Sequence, residues 1–155
     1  MKVIKPPNNL IYTEEDGKTL FLSGSIEMGK AVNWQNKIID FLSKEKIVIF
    51  NPRRDDWDNT WIQTIDSPQF REQVTWELNA LECSNVIAMY FDPNTKSPIS
   101  LLELGLFAKS KKMILYCPEG FWRKGNVDIV CRRYGIIQCI SENDFILTIL
   151  EKSRM

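Results

Sequence analysis

The chain has 155 residues, 44% hydrophobic and 26% charged, enough for one domain with a substantial core. Its 20 basic and 20 acidic side chains cancel, so no global field draws it to nucleic acid or an anionic membrane. No apolar run approaches the ~20 residues of a membrane span, and the absence of histidine excludes Ser-His-Asp and Cys-His dyads, leaving carboxylates, lysine, tyrosine or cysteine for acid–base work.

Residues 1–18 are polar, with Pro6-Pro7 and the turn-like "EEDGK", and read as an extended arm and a turn without the apolar core of a signal peptide. "TLFLSG" (19–24) is an apolar run ending in glycine, as expected of a strand buried on both faces. Residues 29–44 carry Val32, Ile38, Ile39 and Leu42 at helical spacing, and "IVIF" (47–50) is a second strand stopped by Asn51-Pro52. After a polar, aromatic-rich segment, residues 70–84 read as helix and 86–91 as strand. "SPISLLELGLFAKSKK" reads as a helix with Ser97 as N-cap and Pro98 in its first turn. Strands follow at 113–117 and 136–140, separated by a short helix, and 142–152 closes the chain as a helix.

Strands alternating with helices predict right-handed crossovers and a single three-layer α/β/α domain spanning 1–155, with a five-stranded, mostly parallel, flavodoxin-like or Rossmann-like sheet. Ligands in such sheets gather at the carboxyl ends of the strands. Here those ends are Ser23-Gly24-Ser25, Asn51-Pro52-Arg53, Asp92 and Cys117-Pro118. The cysteines Cys83, Cys117, Cys131 and Cys139 form no C-x-x-C pair, so the sequence predicts reduced thiols, no metal site and a cytoplasmic protein.

The first of these turns, "GSIEMGKA", spells G-x-x-x-x-G-K, but Ala31 stands where a P-loop needs Ser or Thr for magnesium. Glu27 lies inside the would-be anion cradle. "VIAMYFD" imitates a Walker B strand ending in Asp92. A P-loop nucleotide-binding protein is therefore a rival reading, and it leaves Glu103 unexplained.

Glu103 is the most informative residue. The stripe Ile99, Leu102, Glu103, Leu106, Phe107 has one glutamate among large apolar side chains, and Leu101, Leu104 and Ala108 make the other side apolar too. A carboxylate buried there is costly unless it is neutralised or paired; it marks a site, or else it snorkels to solvent or pairs with a lysine. Glu77 repeats the pattern between Val74 and Leu78, on a stripe that continues to Leu81 and Asn85. Two carboxylates converging without a histidine suggest glycosyl chemistry, one as nucleophile and one as acid or orienting group.

"FLSGSI", "QVTWELNALECSNVIAMYFD" and "SPISLLELGLFAKSKK" together resemble the nucleoside 2-deoxyribosyltransferase family, from about residue 19 to 137. Its superfamily also holds 5′-monophosphate N-glycosidases. The resemblance implies that Glu103, in "LLELG", is the nucleophile. Glu77 then takes the sugar–base position where aspartate is more usual. Asn126 in "GNV" is similar to an asparagine that reaches a neighbouring subunit's site, implying a homo-oligomer. The implied partners are nucleosides and free nucleobases, with no organic cofactor and no metal.

Gly24 and Ser25 would hold the sugar's 5′ end, the glycine permitting close backbone approach. Monophosphate-cleaving relatives tend to carry arginine and more glycine in this loop, so Glu27 favours nucleosides. Ser97 matches a phosphate-binding serine of those relatives and would equally serve as an N-cap. In "NPRRDDWDNTWIQ", Trp57 or Trp61 could stack on a base while Arg53, Asp55 or Asp58 read its edge; each could as well be an ordinary loop residue packed on the helix below. A hydrolase using water as acceptor and a non-catalytic nucleotide sensor are the remaining alternatives.

Overall fold

The computed structural model describes residues 1–27 and 31–155. Residues 28–30, which hold the last letters of the G-x-x-x-x-G-K spelling, lie outside the described residues. The strands are β1 (Lys2–Ile4), β2 (Lys18–Gly24), β3 (Ile47–Phe50), β4 (Val86–Tyr90), β5 (Met113–Tyr116) and β6 (Ile137–Cys139). They form one sheet in the order β1-β3-β2-β4-β5-β6, with every neighbouring pair parallel. The helices are α1 (Trp34–Phe41), α2 (Pro68–Cys83), α3 (Pro98–Phe107), α4 (Lys124–Tyr134) and α5 (Glu142–Arg154).

Alternation along the strands divides the core in two. Phe21, Val48, Phe50, Ile87, Met89 and Leu115 meet Trp76 and Leu81 of α2, Leu104 of α3 and Val127 of α4. Leu20, Leu22, Ile47, Ile49, Ala88 and Ile114 meet Trp34 and Ile38 of α1 and Phe145 and Ile149 of α5. The chain leaves β2 through α1 toward β3, then returns through α2 on the opposite face to β4. The strand order therefore reverses between β2 and β4, and their carboxyl ends border the crevice where doubly wound sheets take ligands.

The sixth strand was not in the expected set. β1 lies in the stretch expected to be an arm; it pairs with β3 through Lys2↔Val48 and Ile4↔Phe50, yet only Ile4 of its three residues is buried. Its order comes from a partner more than forty positions away, which local periodicity does not register.

The helical stripes also move by one position. In α2 the inward series is Gln73, Trp76, Ala80 and Leu81, while Val74 and Leu78 are 36% and 37% exposed. In α3 it is Ser100, Glu103 and Leu104, continuing to Ala108, while Ile99, Leu102 and Leu106 face outward. The expected spacing holds but starts one residue away, because a polar Gln73 and a polar Ser100 occupy inward positions that apolar counting skips. Likewise Val32 is exposed and Trp34 takes the inward place at the start of α1.

Gly24 sits at the seam between β2 and β4 with φ +128°, and a Cβ there would lie 2.1 Å from the Tyr90 carbonyl oxygen. Its first necessity is strand pairing: Gly24↔Tyr90 is a register pair, and the next residue's N–H donates to the Tyr90 carbonyl at 2.9 Å. Gly24→Ala is expected to cost about 3 kcal/mol or more in a denaturant melt. A cost below about 1 kcal/mol would show that the two strands can part freely.

Candidate active site

Glu103 is 8% exposed, carried on the first turns of α3 against β2. Helical side chains lean toward the helix start, so its carboxylate points to the carboxyl edge of the sheet. There Ser23, the penultimate residue of β2, donates its hydroxyl to Glu103 Oε2 at 2.5 Å. Burial raises the Glu103 carboxyl to about 7, with the Ser23 hydrogen bond pulling it back down.

Glu77, midway along α2, lies within electrostatic reach. Burial first, then the charge of Glu103, raises its carboxyl to about 8, opposed by the Gln73 amide that donates to its Oε1 at 2.7 Å. Two neighbouring carboxyls that cannot both ionise cheaply hold about one proton between them near neutrality. The higher affinity belongs to Glu77. Glu103, steadied by Ser23, is the one left charged. One anionic oxygen and one acid at a strand-end crevice can attack an electrophilic carbon and protonate the group that leaves.

The other residues singled out in the sequence are distributed as follows. Ser25 is fully buried, its Oγ 2.5 Å from the Ser97 hydroxyl and 3.0 Å from Thr95, while it accepts from the Asp92 N–H at 2.8 Å. These hydroxyls close on one another and tie the end of β2 to the loop after β4. Ser97 precedes α3 with φ +47° and makes no side-chain cap bond. Asp92 is buried too; Oδ1 accepts from the Asn94 backbone at 2.9 Å and Oδ2 from the Val32 N–H at 3.2 Å.

Arg53 reaches across the crevice mouth to the Val32 carbonyl at 3.3 Å, and desolvation lowers its pKa from the usual value. Trp57 and Trp61 meet edge to face, 5.3 Å between centroids, with Arg54 over Trp61. Asp55 is exposed and pairs with Lys5 at 2.6 Å, on the β1 side. Asp58 binds its own loop through the Thr60 N–H. Asn126 is exposed on α4, in a groove of about 300 Å³ shared with Leu101, Leu104, Gly105 and Arg123. Neither this groove nor the recess at Val3, Pro6 and Asp55 is lined by Glu103 or Glu77.

Sequence reasoning missed Gln73 and named Ser23 and Asn51 only as strand ends, without a role. Gln73 is 5% exposed and donates to the Pro52 carbonyl at 3.1 Å as well as to Glu77. Among the described residues its Oε1, Asn51 Nδ2, Arg53 Nε and Trp57 Nε1 are buried without a hydrogen-bond partner. Such groups are costly unless a ligand or water completes them; Asn51 and Arg53 follow β3 directly, Gln73 bonds Pro52 and Glu77, and both side-chain polar atoms of Gln35 on α1 are unpartnered as well. The available signal was Gln73 itself, a polar residue one helical turn before Glu77. Among the described residues no group of His, Cys, Asp and Glu is arranged to hold a metal ion, and no helix is long and apolar enough to cross a membrane.

No curated protein matches the chain. Residues 17–121, from the start of the β2 region to just beyond β5, match the family described as nucleoside 2-deoxyribosyltransferase like. The matched segment contains β2 to β5, Ser23, Glu77 and Glu103. The chain belongs to the nucleoside 2-deoxyribosyltransferase-like family.

Proposed function

We propose that the protein transfers 2-deoxyribose between nucleobases through a covalent ester on Glu103. The observation that supports this reading is the carboxyl pair: buried Glu103 held by Ser23, and half-buried Glu77 raised above it. A Glu103 oxygen attacks C1′ of a 2′-deoxynucleoside. The C1′–N bond breaks, its electron pair goes to the base, and Glu77 supplies the proton that the base takes away. The incoming base returns a proton to Glu77 as its nitrogen attacks C1′, and the ester C–O bond breaks to restore the Glu103 carboxylate. Two inversions give net retention and ping-pong kinetics. In this reading the base takes up unpartnered groups near the end of β3, such as those of Gln73 and Asn51. No step calls for a metal or organic cofactor. Incubating deoxyinosine with a second base and following the new nucleoside tests the reading; base release at an equal rate with and without acceptor would mark a hydrolase instead.

The reading extends to assembly as a homo-oligomer with sites near subunit interfaces. Ile99, Leu102 and Leu106 are each nearly 60% exposed, a helical stripe of the kind that oligomer contacts cover, and Asn126 lies in the adjoining groove. Leu102→Glu is expected to lower the mass in sedimentation while leaving the circular dichroism of the fold intact; an unchanged mass, or a monomeric parent protein, would contradict this. The cysteines are all unpaired, as a reducing cytoplasmic setting favours.

A further inference from the structure

Gln73 stands one helical turn before Glu77 in α2, at the spacing that brings two side chains together on a helix. It is buried, and it carries a polar carboxamide where an apolar side chain would pack at less cost. Its neighbours settle which way that carboxamide points. The Pro52 carbonyl can only accept a hydrogen bond, so the amide nitrogen faces it, at 3.1 Å. The same Nε2 has a second hydrogen, which goes to Glu77 Oε1 at 2.7 Å. Turning the amide over would set its oxygen against the Pro52 carbonyl. Both N–H groups are therefore committed, and among the described residues Oε1 is left buried without a partner. That unpaired acceptor is a cost which a side chain without polar atoms would avoid.

The two donations act on Glu77 in two ways. Pro52 follows Asn51, whose N–H donates to the Ile4 carbonyl of β1 at 3.0 Å, so the amide is anchored on the edge of the sheet and holds the Glu77 side chain against it. Oε1 of Glu77 already accepts an N–H; when the group is protonated, the proton belongs on Oε2. Once that proton has left, the Gln73 N–H stays on the carboxylate and stabilises it. The charged groups around Glu77 do not take over this part. Glu103 on α3 opposes its ionisation, and the contact that favours it is the Gln73 amide. From the segment after β3, Arg53 turns to the Val32 carbonyl and Arg54 is held by Asp56 and Glu72. Lys5, after β1, pairs with Asp55, and β2 presents the neutral Ser23, bound to Glu103.

We propose that Gln73 is a positioning residue: its carboxamide, anchored on the Pro52 carbonyl, donates to Glu77 Oε1 and leaves Oε2 as the oxygen that holds the proton and delivers it to the departing base. The inference rests on the base-exchange reading above. It deepens that reading by assigning the proton to one oxygen and naming the residue that puts it there. As the C1′–N bond breaks, its electron pair passes to the base. The Glu77 Oε2–H bond breaks with it: the proton goes to the base and the bonding pair stays on Oε2, giving a carboxylate that keeps the Gln73 N–H on Oε1. Gln73 thus acts through Glu77, orienting the acid and stabilising what remains after proton transfer.

The test compares the parent protein with Gln73→Met, which keeps the length of the side chain without a donor, and with Gln73→Ala. Methionine also removes the unpaired Oε1, which guards against loss of the fold. Exchange is followed with deoxyinosine and with purine deoxynucleosides whose leaving bases are progressively more acidic and need less protonation. The quantity read is how the loss in kcat/KM varies across that series, so a general loss of activity cancels. Both variants are expected to lose about 30-fold on deoxyinosine and no more than about 3-fold on the most acidic base. The alkaline limb of their kcat profiles should move upward by about half a pH unit or more, because the donor that favours ionised Glu77 is gone. A merely structural role, or a lost contact between Oε1 and the base, would move neither readout. An equal loss across the series with the alkaline limb in place, or full activity in both variants, would overturn the role of Gln73 while leaving base exchange standing. Absence of exchange in the parent with every substrate would overturn the base-exchange reading and this inference with it.

Discussion

Glu103→Ala is expected to lower base exchange by about 10³-fold or more, with little change in the affinity for the free base. The loss is large because, in the proposed mechanism, alanine removes both the oxygen that bonds to C1′ and the charge that stabilises the sugar as the C1′–N bond opens. Glu103→Gln keeps the shape and the Ser23 contact, so it separates chemistry from packing; it should be nearly as inactive as alanine. Ser23→Ala should show a smaller loss, because Ser23 positions and stabilises the ionised form without touching the sugar. Its diagnostic is the pH profile: without the 2.5 Å hydrogen bond the acid limb should move upward, whereas a merely structural role would leave that limb in place. Exchange surviving Glu103→Gln at more than about a tenth of the parent rate would remove the nucleophile from the scheme.

The second large effect is in pH dependence. The proposed mechanism requires Glu103 ionised and Glu77 protonated. With the two carboxyls raised to about 7 and about 8, exchange should follow a narrow bell between those values. Stability carries the same signature with a definite sign. Both groups titrate in the folded protein above their ordinary 4.5, so between that value and about 8 the folded state holds protons that the unfolded chain has released. Stability is therefore fully present below about 4.5 and declines as pH rises through the folded values. Glu77→Gln removes one of the titrating groups. It is expected to raise Tm by about 5 °C or more at pH ~8.5, on the order of a few kcal/mol, and to lose that advantage near pH ~4.5. Equal thermal stability of parent and variant across this range would mean that the carboxyls are not held together in the crevice.

Much of this was legible in the sequence, and for stated reasons. β2 to β5 are short continuous runs such as "IVIF", and a run buried on both faces announces a parallel strand. Glu103 and Glu77 stood out because charge among leucines is expensive. The arguments that selected them were nevertheless off by one position: Ile99, Leu102 and Leu106 face outward, and α3 is apolar there without being covered by this chain. An apolar stripe made for another surface cannot be told by periodicity from one that faces the core. Three-residue β1 was illegible because its ordering partner is remote. Gly24 was read as a place for ligand approach, yet the atom it makes room for is the Tyr90 carbonyl. Glu27 is legible in the sequence as a charge that speaks against a phosphate in the first turn, but not as a partner of α3. That its carboxylate caps α3 depends on a contact spanning some seventy residues, which no local pattern encodes.

The most direct measurement is the mass of the intact protein after exposure to a 2′-fluoro-2′-deoxynucleoside, followed by peptide mapping. Fluorine at C2′ withdraws electrons from the developing cation and slows resolution of the glycosyl ester, so the intermediate should accumulate. The expected result is one fluorodeoxyribosyl group per chain, attached to the peptide at Glu103 and absent in Glu103→Ala. A sugar attached elsewhere, or base release that proceeds without any adduct and persists in Glu103→Ala, would contradict the account.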